Sequence, residues 1–172
     1  MITVISGTNR PDSNSIIVAE ACCEILLNRG IESQLLSLRS IPEDFLFTEM
    51  FQEHSANYKV LVNQFISGAD KFIFIIPEYN GGFPGILKAF IDSLDYRTLK
   101  GKKTGLIGVA SGHAGALRPL DHFTDILHHL NMEVLSTKPK FSNIENLIIE
   151  NKLTDLESIK KLTEFTENII LF

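Results

Sequence analysis

Short apolar runs alternate with amphipathic helical patterns along this chain of 172 residues. Three of the runs, at 2–6, 72–76 and 104–110, are too uniformly apolar for either face of a strand to lie against water. Strands covered on both faces are typical of parallel sheets that lie between two layers of helices. The pattern therefore predicts an α/β protein with right-handed crossovers.

Two more strands are predicted at 33–38 and 132–137, and a helix is expected after each strand. In the first helix, apolar residues recur up to Leu26, with Ser13 or Asn14 as the N-cap and Gly30 as the C-terminal stop. Residues 39–56 look irregular and rich in Phe. The other helices are predicted at 57–68, at 85–94, from the glycine-rich loop at 111–115 to about 129, and from 154 to the end. No linker or repeat is visible, so one domain over 1–172 is expected.

Charge and cysteine content exclude several classes of partner. The net charge is −5 and no segment is rich in Lys or Arg, so neither nucleic acid nor an anionic membrane is expected as a partner. The first residues lack a signal-peptide pattern, and no apolar run reaches membrane-spanning length. Cys22 and Cys23 are adjacent on a predicted helix and do not form an ordinary disulfide with each other. These features predict a cytoplasmic protein.

Ligands of open parallel sheets bind beyond the carboxyl ends of the strands, near the point where strand order reverses. The loops after the first, third and fourth strands are therefore the places to inspect. All three are unusual in this chain, since each combines glycine with polar or aromatic side chains. Their coincidence favours a binding site more strongly than any one of them does.

The first of these loops, residues 6–15 (SGTNRPDSNS), combines one glycine, one arginine and several hydroxyl and amide donors before a helix. Backbone N–H groups at a helix N-terminus bind anions, so a phosphate site is one interpretation. The other is a capped turn in which Asp12 and Ser13 cap the helix and Arg10 is solvated. The loop matches neither the P-loop nor the dinucleotide fingerprint, and a terminal phosphate monoester fits its donors better.

The other two loops offer space and flat surfaces. Residues 77–85 (PEYNGGFPG) place Tyr79 and Phe83 beside glycines that let a ring approach the backbone, or they form a stiff turn at the edge of the core. Residues 110–116 (ASGHAGA) lie against a ligand or form an ordinary glycine-rich turn, and a lone loop histidine such as His113 is more often solvated than catalytic. No catalytic triad, carboxylate pair or metal-ligand spacing is present. Binding loops without acid–base groups favour chemistry carried by a cofactor.

Together these motifs resemble the NADPH-dependent FMN reductase family of flavodoxin-like proteins, which includes azo-dye, quinone and chromate reductases. The first loop matches the pattern G-[ST]-x-R-x-x-S over residues 7–13. The pattern P-E-Y-N-x-x-x-P-G-x-L-K-x-x-I-D is matched over residues 77–92. R-x-x-x-G-K follows at 97–102, and the third loop resembles S-x-G-x-x-G, with Gly115 shifted and Ala114 where many relatives have glycine.

The resemblance implies a flavodoxin-like three-layer sandwich with a five-stranded parallel sheet in the order 2-1-3-4-5. It also implies an FMN site. The phosphate would be held by Thr8, Arg10, Ser13, Asn14 and Ser15, and the ring would be lined by Pro77, Glu78, Tyr79, Asn80 and Gly81 and closed by Ser111, Gly112 and His113. Family members are commonly dimers, so residues 85–96 are expected between two subunits of a homodimer or homotetramer.

The expected activity is transfer of electrons from NADPH or NADH through FMN to a small acceptor, namely a flavin, quinone, azo compound or metal oxyanion. The sequence leaves open the acceptor, the choice of pyridine nucleotide, and whether FMN stays bound or exchanges. The alternatives are a flavodoxin-like electron carrier without its own reductase activity, a flavin-binding module for sensing or interaction, and an NADP binder that uses Arg39. No side chain is expected to act as a catalytic acid or base, and no metal is expected.

Overall fold

The computed structural model describes residues 1–172. A parallel sheet forms the middle layer of the molecule. The strands lie in the order β2-β1-β3-β4-β5, which confirms the order implied by the resemblance. The bounds of these strands are β1 Ile2–Ser6, β2 Ser33–Ser37, β3 Lys71–Pro77, β4 Lys103–Val109 and β5 Glu133–Val134. Because β1, β3 and β4 are adjacent, the loops that follow them meet at one edge of the sheet.

Helices cover both faces of the sheet, as the uniformly apolar strands predict. Their bounds are α1 Asn14–Asn28, α2 Phe45–Thr48, α3 Ala56–Val62, α4 Gly85–Asp92, α5 Tyr96–Leu99, α6 Leu117–His129 and α7 Leu156–Leu171. Successive β3 residues alternate between two cores: Phe74 packs with α3, α4 and α6, whereas Ile73 and Ile75 pack with α1 and α7. None of the helices is both long and apolar enough to cross a membrane.

The first helix ends where the sequence predicts. Gly30 adopts φ +70°, and the N–H of Ile31 donates to the carbonyl of Leu26 at 3.0 Å. The N–H of Gly30 donates to the carbonyl of Leu27 at 2.9 Å. These two bonds form a Schellman motif, in which glycine takes the left-handed position without a steric penalty.

The prediction of one continuous fifth strand over 132–137 is wrong. β5 pairs only with the start of β4. A separate strand, β6 (Lys140–Phe141), pairs with the end of β4 at Gly108 and Val109. Between them lies Pro139, which has no N–H to donate and fixes its own φ, although its carbonyl accepts from the N–H of Gly108 at 2.9 Å. The interrupted edge strand returns residues 140–146 toward the loop that follows β4.

Two further segments differ from the sequence prediction. The predicted helix at 57–68 divides into α3 and a π-helical turn, Asn63–Ser67. A hairpin of β7 (Ile148–Ile149) and β8 (Lys152–Leu153) was not predicted. Its turn residues Glu150 and Asn151 both have positive φ, the geometry of a two-residue type I′ turn.

Candidate functional site

Two clefts adjoin at the carboxyl ends of β1, β3 and β4, and both are lined by Glu78, Ala110 and Ser111. The first is narrow, about 150 Å³, and the second is wide and open, about 580 Å³. The predicted site residues in the first cleft are Thr8, Arg10, Ser13, Asn14, Ser15, Pro77, Glu78, Tyr79 and Ser111. Those in the second are Glu78, Asn80, Gly81, Ser111, Gly112 and His113. The fold therefore brings together every residue that the sequence placed in the site.

Close packing of the first loop against β3 requires its glycine. The N–H of Gly7 donates to the carbonyl of Ile75 at 2.9 Å, and a Cβ at Gly7 would meet that oxygen at 2.9 Å. The next residue, Thr8, is 1% exposed, and its Oγ1 accepts from the N–H of Arg10 at 3.1 Å. The loop is thus fixed by backbone contacts, and its polar side chains line the narrow cleft.

The N-terminus of α1 supplies backbone donors to this cleft. Ser13 takes the N-cap position, as predicted, but its side chain makes no capping hydrogen bond. Asp12 makes none either, and it adopts φ +50°. The alternative in which Asp12 and Ser13 serve only to cap the helix is therefore not what the structure shows. Uncapped N–H groups and the helix dipole make this end of α1 suitable for an anion.

The second loop contains a tight hairpin turn. Tyr79 and Gly82 exchange two backbone hydrogen bonds, at 2.8 and 3.0 Å, around Asn80 and Gly81. The corner residues have φ +51° and +80°, which is a type I′ turn and explains the Asn-Gly pair. Phe83 packs edge-to-face on the ring of Phe123 at 5.3 Å and is half-buried at the edge of the core.

A side-chain hydrogen bond joins the first loop to the second. The hydroxyl of Tyr79 lies 2.6 Å from Oγ1 of Thr8, and either oxygen can donate. The N–H of Glu78 donates to the carbonyl of Val109 at 3.2 Å, which fixes the start of the second loop against β4. These hydrogen bonds join the first loop to the second and the second loop to β4.

The two glycines of the third loop have different roles. A Cβ at Gly112 would meet nothing within 4 Å, so this residue leaves open space on the side of the wide cleft. Gly115 has φ +61°, and a Cβ there would meet the Cβ of Lys140 at 2.8 Å. The hydroxyl of Ser142 donates to the carbonyl of His113 at 2.9 Å. The third loop is therefore held by the returning edge strand.

A family model described as NADPH-dependent FMN reductase matches residues 1–145. The chain belongs to that family. An NAD(P)H-dependent FMN reductase from Schizosaccharomyces pombe is 34% identical over 107 residues, which cover 60% of this chain and 48% of the relative. This chain thus spans about half the length of that protein. An FMN-dependent NADPH-azoreductase from Staphylococcus aureus is 30% identical over 131 residues, 74% of this chain and 69% of the relative.

Solved structures of flavoproteins share the fold. One is FerB from Paracoccus denitrificans, a flavoenzyme NAD(P)H:(acceptor) oxidoreductase, which superposes with a TM-score of 0.79 at 24% identity. The superposition covers 98% of this chain and 94% of the FerB chain. Flavodoxins are also among the structural neighbours. The fold of this FMN reductase family member is therefore flavodoxin-like, as the sequence predicts.

Family membership implies FMN as the cofactor and NAD(P)H as the co-substrate. The residues of the narrow cleft fit a phosphate monoester, because hydroxyl, amide and guanidinium donors surround the uncapped N-terminus of α1. The wide cleft fits a flat ring, because the turn at Asn80–Gly81 and the open side of Gly112 expose backbone groups. Together the two clefts suit the two ends of FMN.

Sequence reasoning missed two charged residues of the clefts. Glu145 lines the narrow cleft and accepts a hydrogen bond from the hydroxyl of Ser111 at 2.5 Å. That bond, together with a backbone hydrogen bond and the guanidinium of Arg10, lowers the pKa of Glu145 below its ordinary value. Arg118 lines the wide cleft and forms no salt bridge. Pro139, which precedes β6, was the one sequence signal that the segment carrying Glu145 returns toward the narrow cleft.

Proposed function

We propose that the protein is an FMN-dependent oxidoreductase that passes electrons from NADPH or NADH to a small acceptor. The acceptor classes that suit an open cleft are a free flavin, a quinone, an azo compound and a metal oxyanion. The observation that carries the proposal is the pair of adjoining clefts, one narrow and rich in phosphate donors and one wide enough for stacked rings. Family membership supports the same activity.

In this proposal the narrow cleft holds the phosphate end of FMN. The holding groups are Thr8, Arg10, Ser13, Asn14 and Ser15. The wide cleft holds the ring between the turn at Asn80–Gly81 and the segment Ser111–His113. Glu78 lines both clefts, and Pro77 and Tyr79 line the narrow one beside it. The hydrogen bond between Tyr79 and Thr8 joins the first and second loops within the narrow cleft.

FMN, when bound, supplies the chemistry, since it accepts a hydride from NAD(P)H and passes electrons to an acceptor. The protein contributes position and electrostatics. Backbone groups of the Asn80–Gly81 turn orient the ring, and the open side at Gly112 leaves room for a second flat molecule. Arg118 has no salt-bridge partner and lies at the wide cleft, so it attracts substrates that carry negative charge, as NADPH does. No side chain is assigned as a general acid or base.

A homodimer is part of the proposal. Between α4, α5 and α6 lies an open groove of about 620 Å³, with Ile91, Leu94, Ile126 and Leu130 among its lining residues. Tyr96, at the edge of this groove, is 56% exposed. The exposed Tyr96 and the half-buried Ile126 and Leu130 support pairing through residues 85–96, whereas Ile91 and Leu94 are buried. Sedimentation analysis tests it: we expect a dimer for the wild type and a monomer for Ile126→Asp, and a wild-type monomer at micromolar concentration would contradict it.

Steady-state turnover tests the proposed activity. Protein reconstituted with FMN should oxidise NADPH or NADH when a quinone or an azo dye is added, and the rate should exceed that of the same concentration of free FMN without protein. A flavodoxin-like carrier would hold FMN but would not oxidise NAD(P)H unless a separate reductase were added. That outcome would replace the proposed reductase with the carrier.

A further inference from the structure

Glu145 is held at the rim of the narrow cleft by the backbone that carries it. The N–H of Asn143 donates to the carbonyl of Gly112 at 3.3 Å, and the N–H of Ile144 donates to that of Ala110 at 3.2 Å. The side chain of Ile144 is buried. Both neighbours on the N-terminal side of Glu145 are thus tied to the third loop. These contacts fix the backbone of Glu145 beside the cleft, and its carboxylate is held there by the hydroxyl of Ser111.

The carboxylate of Glu145 occupies two donors that line the narrow cleft, where the phosphate end of FMN would bind. Its Oε1 accepts from the hydroxyl of Ser111 at 2.5 Å. Nδ2 of Asn14 lies 3.5 Å from the same oxygen. These two donors come from the third loop and from the first residue of α1, and both are assigned to the cofactor in the proposed function. Glu145 therefore bridges the two sides of the cleft as an internal anion.

The balance of charge in the narrow cleft is unfavourable for a second anion. Arg10 is its one guanidinium, whereas Asp12, Glu78 and Glu145 line it with carboxylates. A phosphate monoester carries up to two negative charges near neutral pH. Repulsion between like charges a few ångströms apart opposes its entry. Only Glu145, among the three carboxylates, also takes a hydrogen bond from a proposed cofactor ligand.

We infer that Glu145 is a competing anion that weakens the hold of this protein on the phosphate of FMN. The inference rests on the proposed function and deepens it, because it names a residue of this chain that lowers the affinity for FMN and speeds its release. Riboflavin has the same ring and ribityl chain without the phosphate, so Glu145 should hardly affect its binding. The residue thus sets how the protein discriminates between the phosphorylated and unphosphorylated flavin.

Titration of the cofactor-free protein with each flavin, followed by quenching of flavin fluorescence, tests this inference. Glu145→Gln and Glu145→Ala should each bind FMN about three- to tenfold more tightly than the wild type, a moderate effect because Glu145 is exposed and its charge is screened. Affinity for riboflavin should change by less than about twofold. The gain for FMN should shrink as salt is added, since it is electrostatic. Release of FMN in stopped-flow dilution should slow in proportion.

Glu24→Gln is the matched control, because it removes the same charge from an exposed position on α1. Glu24 lies ten residues beyond Asn14 along α1, about 15 Å from the cleft, so the control should bind FMN as the wild type does. Unchanged or weaker FMN binding by both Glu145 variants overturns the inference and leaves the proposed function standing. An equal gain for riboflavin also overturns it. Failure of every protein, the wild type included, to bind FMN overturns the inference and the proposed function together.

Discussion

Ser6 and Ser93 are buried hydroxyls in opposite situations. Oγ of Ser93 donates to the carbonyl of Phe90 at 2.7 Å and lies 2.7 Å from the hydroxyl of Tyr58. Oγ of Ser6 is buried at the end of β1 and has no hydrogen-bond partner. A buried polar group without a partner is destabilising, whereas a satisfied one contributes to stability.

Alanine substitutions at these two serines should therefore act in opposite directions. We expect Ser6→Ala to stabilise the cofactor-free protein by about 1 kcal/mol and Ser93→Ala to destabilise it by about 1–3 kcal/mol. The free energy of unfolding from urea denaturation measures both. A clear loss of stability in Ser6→Ala would mean that this hydroxyl has a partner in solution.

The hydroxyl of Tyr79 gives a second prediction, which concerns binding. Tyr79→Phe removes the hydrogen bond to Thr8 and leaves the aromatic ring in place. FMN affinity should fall about two- to tenfold, the value of one hydrogen bond, with little change in stability. Tyr96→Phe is the control, because this tyrosine is exposed and lies away from both clefts. Wild-type affinity in Tyr79→Phe would show that the link between the loops does not position the cofactor residues.

Sequence reasoning succeeded best for residues that directly follow a buried strand. Thr8, Tyr79 and Ser111 could be placed in one site because parallel strands end at the same edge of the sheet. Glu145 could not, because its position depends on where the broken edge strand returns. Phe83 was ambiguous, since an aromatic side chain fits a core edge as well as a ligand.

At the scale of elements, the packing of α7 on β4 depends on a glycine, Gly105, which has no side chain to separate the strand from the helix. A Cβ at Gly105 would lie 2.3 Å from Cζ of Phe165, whose ring is buried. The strand can therefore approach the helix only with glycine at this position. Sequence patterns predicted both elements but not this contact, because the residues lie 60 positions apart.

Gly105→Ala should destabilise the protein by about 1–3 kcal/mol, since the ring of Phe165 must move within a close-packed core. Gly85→Ala is the control: Gly85 begins α4, and a Cβ there would meet nothing within 4 Å. This control should keep wild-type stability or gain less than about 1 kcal/mol. Thermal and urea unfolding measure both. A Gly105→Ala protein as stable as the control would contradict the packing described for β4 and α7.

The break in the fifth strand is a feature that local sequence patterns did not predict. Residues 132–137 have the composition of a strand, and Glu133–Val134 does pair with β4. The chain leaves β4 after Val134 and pairs with its edge again at Lys140, directly after Pro139. Composition predicts that a segment is extended, but tertiary contacts decide how far it stays paired.

At the scale of the whole molecule, the strand order positions the site. β1, β3 and β4 lie side by side, so three loops that are far apart in sequence form two adjoining clefts. The regular alternation of apolar strands and amphipathic helices predicted the layered architecture, and the resemblance to the FMN reductase family implied the strand order. It could not give the width of each cleft or the balance of charge inside them, since both depend on side chains from several elements.

Reduction of the bound flavin in the absence of oxygen tests the central claim most directly. The protein is reconstituted with FMN, freed of excess flavin and titrated anaerobically with NADPH and, separately, with NADH. We predict loss of the visible flavin absorption at one equivalent of nucleotide per bound FMN, and its return when a quinone is added. A flavin spectrum that neither nucleotide bleaches, or a protein that takes up no FMN, would contradict the assignment as an NAD(P)H-dependent FMN oxidoreductase.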